Sequence, residues 1–145
     1  MKKNVQKELG QILVENKHIS PDQLEKALAI QKEKGGLIGQ ILVLFGFTTE
    51  ETIAKALTTQ YGFPYLPLSS YEIEPEVAKI IPERVARQYE LIAVDRMGSV
   101  ITVAMSNPLN VQAIEDIEMI THFKAEVFVA TASDVVAAHK RCYRV

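Results

Sequence analysis

One pattern occurs twice between Leu9 and Gln60, and it constrains the fold more than anything else in the chain. Leu9-Gly10-Gln11-Ile12-Leu13-Val14 opens the first copy and Ile38-Gly39-Gln40-Ile41-Leu42-Val43 opens the second. Leu24, Leu28 and Gln31 close the first copy; Ile53, Leu57 and Gln60 close the second. The offset is 29 residues throughout without a gap, and Lys26-Ala27-Leu28 falls in register with Lys55-Ala56-Leu57. Two copies are too few for a solenoid, which needs about three repeats to bury a continuous core. The pattern predicts a duplicated helical hairpin folded into one small bundle.

Local signals place the four helices. Val5, Leu9, Ile12 and Leu13 share a face at helical spacing, so a short helix is expected over residues 4–16. Ser20-Pro21-Asp22-Gln23 carries a capping serine, a proline suited to the first turn and a glutamine able to complete a capping box. The helix that follows presents Leu24, Ala27, Leu28 and Gln31 on one face and stops at Gly35-Gly36. The third helix, Leu37 to Phe45, repeats the first and ends at Gly46. Thr48 or Thr49 caps the fourth, whose first turn carries Glu50 and Glu51 near the positive end of the helix.

The texture changes at Tyr61-Gly62. Phe63 to Leu68 is apolar but holds two prolines, which suits an extended edge segment. Short helices are expected over residues 75–80 and 82–89, the second with Val85 and Tyr89 inward. Leu91 to Val94 and Val100 to Met105 are the strongest strand signals, joined through Asp95 to Ser99 as a hairpin. A helix over 110–121 puts Val111, Ile114, Ile117 and Met119 or Ile120 toward the core, a third strand spans 125–130, and Ser133 caps a last helix to Cys142. The expected fold class is α+β: a helical subdomain over 1–61, then a three-stranded α+β subdomain over 62–145. Helices would cover one face of a mainly antiparallel sheet.

Composition and missing motifs exclude several functions. With 145 residues, 48% hydrophobic and 23% charged, the chain is globular, and a formal net charge of -2 gives no drive toward nucleic acid. A single cysteine, Cys142, forbids an internal disulfide and fits a reducing compartment. No apolar run approaches a membrane span, and Glu8 and Glu15 interrupt any signal-peptide core, so a cytoplasmic location is expected. No glycine-rich loop leads into Gly-Lys-Ser or Gly-Lys-Thr. His18, His122 and His139 lack companions at zinc-ligand spacing. His139 and Cys142 sit three apart near the C-terminus, a spacing that helix geometry alone explains. Arg84 and Arg87 share a helix face and read as solvated surface arginines, the alternative being a site for an anion or a partner carboxylate.

Two repeated features stay open. Gly10 and Gly39 each cost a helix about 1 kcal/mol relative to alanine, so each implies close helix packing or close approach of a ligand. Gln31 and Gln60 each end an apolar stripe. Such a glutamine either lies on the surface of a fraying helix end or offers a donor and an acceptor to a base edge.

With these residues in place, the chain resembles the N-terminal domain of type II secretion and type IV pilus assembly ATPases, the MshE N-terminal domain. Leu9-Gly10 with Leu13, Ile38-Gly39 with Leu42, the downstream leucines and the closing glutamines match its tandem motif. Phe63-Pro64-Tyr65, Ile81-Pro82, Ala104 to Pro108 and Ile114-Glu115-Asp116-Ile117 are similar to their family counterparts. The resemblance implies a non-catalytic regulatory and docking domain that binds the cytoplasmic part of an inner-membrane platform protein. The ATPase would be a separate or covalently linked partner, its catalytic domain absent from these residues.

The alternative that the resemblance implies is cyclic di-GMP as a ligand. The first half-site would be Leu9, Gly10, Leu13, Leu24, Leu28 and Gln31, and the second Ile38, Gly39, Leu42, Ile53, Leu57 and Gln60. The family motif opens with an arginine before each Leu-Gly pair, and here those places hold Glu8 and Leu37. Lys7 and Lys34 are the nearest cations in sequence, and lysine cannot reproduce an arginine fork.

Overall fold

A computed structural model describes residues 8–143. The expected start of the first helix at residues 4–7, with Val5 on its apolar face, and the substitute cation Lys7 lie outside the described residues, as do residues 144–145. Four helices come first: α1 (Glu8–Glu15), α2 (Pro21–Lys34), α3 (Ile38–Leu44) and α4 (Glu50–Tyr61).

The sequence repeat is also a repeat of backbone hydrogen bonds. After α1, His18 N donates to Leu13 O at 2.8 Å; after α3, Phe47 N donates to Leu42 O at 2.9 Å. Ser20 Oγ accepts from Gln23 N at 3.1 Å and Thr49 Oγ1 accepts from Thr52 N at 3.1 Å, so equivalent residues cap α2 and α4. Gln23 Oε1 accepts from Ser20 N at 2.9 Å, closing the expected capping box. Leu9, Leu13, Leu42 and Leu57 fill the bundle at 1% exposure or less. Each such burial contributes about 1.5–3 kcal/mol, enough to hold helices too short to stand alone in water.

Gly62 ends α4 in the left-handed conformation, φ 72°. The chain then runs extended, makes a 3-10 turn at Leu68–Ser70, and forms α5 (Pro75–Ala78), α6 (Glu83–Tyr89), β1 (Leu91–Met97), β2 (Val100–Met105), α7 (Val111–Thr121), β3 (Lys124–Val129) and α8 (Ala132–Tyr143). The class is α+β with a three-stranded sheet in the order β1-β2-β3.

Several details differ from the sequence reading or sharpen it. The sheet is mixed, because β1 pairs antiparallel with β2 while β2 pairs parallel with β3. The intervening α7 is long enough to serve as the crossover that a parallel pair requires. The prolyl segment adds to the free edge of β3, with Leu66 N donating to Val129 O and Val129 N to Pro64 O, both at 2.8 Å. Helices also cover both faces of the sheet. Ile92 and Val94 pack with α8 residues Val135 and Ala138, whereas Leu91 and Ala93 pack with α6 and α7 through Val85 and Ile117. A strand buried on both sides reads as an unbroken apolar run, as Leu91-Ile92-Ala93-Val94 does.

The hairpin is tighter than expected: β1 continues through Met97, which pairs with Val100, leaving Gly98-Ser99 as the turn. A register irregularity between Ala93 and Asp95 lets the exposed Asp95 and Arg96 remain in the strand. On α7, Ala113 and Ile117 carry the core, while Met119 is 72% and Ile120 45% exposed. Finally, Ser133 does not cap α8. Thr131 does, accepting from Asp134 N at 3.3 Å, and the Ser133 hydroxyl is bound elsewhere.

Candidate functional site

A cavity of about 360 Å³ lies where α1, α3 and α4 meet the end of β2, the start of α7 and the turn between β3 and α8. Its apolar wall comes from Leu9, Ile38, Val43, Leu44, Ile53 and Ala54, and Gln31, Gln40, Glu50, Glu90, Ser106, Asn107, Asn110 and Thr131 supply polar groups. Among the described residues no lysine, arginine or histidine lines it.

Two carboxylates at this cavity tie the helical bundle to the α+β layer. Glu90 follows α6 in the left-handed conformation, φ 56°, and is 5% exposed. A non-glycine residue there costs about 1–3 kcal/mol and persists only when its surroundings dictate it. Here they do: Gln40 Nε2 donates to Oε2 at 2.7 Å, Ser106 Oγ donates to Oε1 at 2.6 Å, and Ser106 N donates to the Glu90 carbonyl at 3.2 Å. Glu50 in the first turn of α4 accepts from Ser133 N at 2.9 Å and Ser133 Oγ at 2.8 Å, both through Oε1.

The twelve positions of the two expected half-sites do not all reach this cavity. Leu9, Gln31, Ile38, Gly39 and Ile53 line it. Leu24 and Leu28 line a different surface cavity beside Gln11, Val14 and Pro21. Leu13, Leu42 and Leu57 are wholly buried in the bundle. Gly10 faces Leu24, whose Cδ1 would stand 2.6 Å from an added Cβ, and Gly39 faces Leu9 and Ile53 at 3.6 and 3.7 Å. Gly10 therefore serves close helix packing, whereas Gly39 lines the cavity and its neighbours stand at ordinary contact distances. Gln31 Nε2 donates to the Gly36 carbonyl at 3.0 Å, closing the end of α2, while Gln60 is exposed and lines no wall of the cavity. Leu37 precedes α3 with its backbone N donating to Gln40 Oε1 at 3.5 Å, and Lys34 is exposed.

Sequence reading missed Glu50, Glu90, Ser106, Asn107, Asn110 and Thr131. Their meeting depends on how the two halves pack, which no local period encodes. The signal nearest to detection was Glu90, a glutamate at a helix-to-strand junction where glycine or asparagine usually stands.

The remaining chemical candidates resolve into structure. His139 is 2% exposed and its Nε2–H donates to the Leu91 carbonyl at 2.7 Å. Burial pushes the Cys142 thiol above its usual range, which disfavours a nucleophilic thiolate. Arg87 pairs with Glu83 at 2.7 Å on the surface. Among the described residues no group of His, Cys, Asp or Glu is placed to hold a metal ion, and no helix is long and apolar enough to cross a membrane.

A doubled helical hairpin seated on a mixed three-stranded sheet, with a cavity where they meet, defines a small α+β domain. Comparison with known proteins makes this specific. The chain belongs to the MshEN domain family, the N-terminal domain of type II secretion and type IV pilus assembly ATPases, and the family model matches residues 61–145. It is 35% identical over 135 residues to the type IV pilus assembly ATPase PilB of Myxococcus xanthus, covering 93% of this chain and 24% of that protein. The chain thus spans about a quarter of that relative's length. A solved structure of MshE with cdg is 30% identical, with a TM-score of 0.68, and covers 93% of this chain and 98% of that one. The N-terminal domain of XpsE matches with a TM-score of 0.78 over 94% of both chains at 18% identity, a likeness of fold.

Proposed function

We propose that this chain is a non-catalytic docking domain of a type II secretion or type IV pilus assembly ATPase system. It grips the cytoplasmic part of an inner-membrane platform protein and works in the cytoplasm. The observation that carries this reading is the charge of the cavity beside the tandem motif: among the described residues, two carboxylates and no basic residue line it. An anionic dinucleotide gains little there, because its phosphates meet Glu50 and Glu90 in place of guanidinium groups. Most of the motif's leucines are spent on the core, so the repeat acts as scaffold. In the same reading residues 1–61 and 62–145 are two subdomains that meet at Tyr61-Gly62, and the chain by itself does not hydrolyse ATP.

Binding of the purified protein to the platform protein's cytoplasmic domain, followed by calorimetry, tests the proposal. Saturable binding with one site per chain is the expected result. Absence of binding at the highest soluble concentrations overturns it.

The second reading is a cyclic di-GMP module with a degenerate motif. The structure of MshE with cdg favours it, since this chain shares 30% identity with that protein over nearly its whole length.

A further inference from the structure

We propose that the cavity between the helical bundle and the sheet receives a lysine or arginine side chain carried on an apolar segment of a protein partner. The inference rests on the docking reading and specifies the site and chemistry of the contact.

Three observations converge on it. First, Glu90 is almost fully buried, yet both of its oxygens accept from neutral donors, Gln40 and Ser106. Among the described residues it forms no ion pair, whereas buried carboxylates are ordinarily paired with a cation. Second, among the described residues Glu50 bonds through Oε1 alone, to Ser133, which leaves Oε2 as an acceptor at the same cavity. Third, the rim is apolar and uncovered. Leu44 lines the cavity and is 80% exposed, more than any other large apolar side chain among the described residues, and the adjoining Phe45 is 50% exposed.

Each feature selects part of the ligand. Carboxylates in a cavity that no described lysine, arginine or histidine lines select a cationic head and reject an anionic one. The apolar wall of Leu9, Ile38 and Ile53 accommodates an alkyl stem, the usual way long basic side chains bury their methylenes. The exposed Leu44 on the cavity wall, followed in the chain by the exposed Phe45, calls for apolar cover, which a free polyamine or a metal ion cannot give and a folded partner can. At about 360 Å³ the cavity has room for one such side chain with part of its neighbour.

Titration of the isotope-labelled protein with n-hexylammonium, n-hexanol and hexanoate, followed through backbone amide shifts, tests this directly. Hexylammonium is expected to shift the Gln40, Ser106 and Thr131 amides saturably and to bind about tenfold more tightly than hexanol, the margin of one charge-assisted hydrogen bond. Glu50→Gln, which keeps the shape of the side chain and its acceptor for Ser133, should remove most of that margin while the spectrum stays dispersed. Equal binding of hexanol and hexylammonium, tighter binding of hexanoate, or shifts mapping to another surface each overturn the proposal. The platform protein's cytoplasmic domain separates this site from the docking reading itself. Equal binding to the wild type and to Glu50→Gln overturns the site and leaves docking intact. No binding to the wild type, with hexylammonium still selected in the cavity, removes the docking partner and leaves the cation site.

Discussion

Lys17 and Gly46 stand 29 residues apart and hold the same left-handed backbone conformation, with φ of 64° and 75°. Their amides make the same bond, Lys17 N to Val14 O and Gly46 N to Val43 O, both at 3.0 Å. The duplicated hairpin thus needs a left-handed residue at one place in each copy, and only the second copy supplies glycine. Lys17→Gly is expected to stabilise the protein by about 0.5–1 kcal/mol, the strain relieved exceeding the added freedom of the unfolded chain. Urea unfolding measures it; an unchanged or lower midpoint would show that the Lys17 side chain compensates its own strain.

The paired motif glycines are expected to behave oppositely. An alanine Cβ at Gly10 would meet Leu24 Cδ1 at 2.6 Å, so the half-buried leucine must move. Overpacking of that kind costs about 1–3 kcal/mol, against about 1 kcal/mol gained in helix propensity. At Gly39 the nearest atoms stand at 3.6 and 3.7 Å, ordinary contact distances. Gly10→Ala should therefore destabilise by about 1 kcal/mol and Gly39→Ala should be neutral or stabilising by up to about 1 kcal/mol. A common sign for both substitutions in denaturant titrations would contradict the packing seen here.

These pairs also show what sequence can carry. The repeat, the capping box at Ser20 and the choice of Thr48 or Thr49 before α4 are local, so period and cap chemistry disclosed them. The position of β3 is not local. Val127 and Val129 alternate equally well beside a parallel or an antiparallel neighbour, and only the crossover through α7 decides. Ser133 misled for a related reason. It has the chemistry of a cap, but Glu50, 83 residues earlier, takes its hydroxyl, and Thr131 caps α8 instead. The cavity joins groups from both halves of the chain, so its carboxylates had no signature in either half alone.

His139 gives the fold a pH dependence. Burial is the largest influence on its imidazole and holds it below the usual histidine range; the bond to the Leu91 carbonyl opposes this, Arg87 adds to it, and Glu90 and Glu83 oppose it. The folded protein therefore resists a proton that the unfolded chain accepts near pH ~6.5. The associated stability is complete above that pH and is lost as pH falls through it. Denaturant midpoints should decline from pH 7 toward the folded-state value, and His139→Gln should flatten that decline at the cost of overall stability. Parallel profiles for wild type and variant would place the dependence elsewhere.

The last prediction separates the two functional readings. Charge-assisted hydrogen bonds contribute about 1.5–3 kcal/mol each, so the absence of two motif arginines weakens dinucleotide affinity by roughly two to four powers of ten. Glu90 and Glu50 at the cavity add repulsion toward phosphates. Calorimetry with cyclic di-GMP should therefore detect no binding at micromolar concentrations. Changing Glu8 and Leu37 together to arginine should recover part of the affinity, because Leu9, Gln31, Ile38 and Gly39 are already in place around one opening. If the wild type binds at micromolar affinity or better, the charge reading is wrong and the second-messenger reading gains; Gln31→Ala should then weaken binding with the helical signal intact. If the double arginine variant folds and still binds nothing, restoring the missing cations is not enough. In that case the core packing of Leu13, Leu42 and Leu57 has removed the ligand surface, and the motif serves the docking domain as scaffold alone.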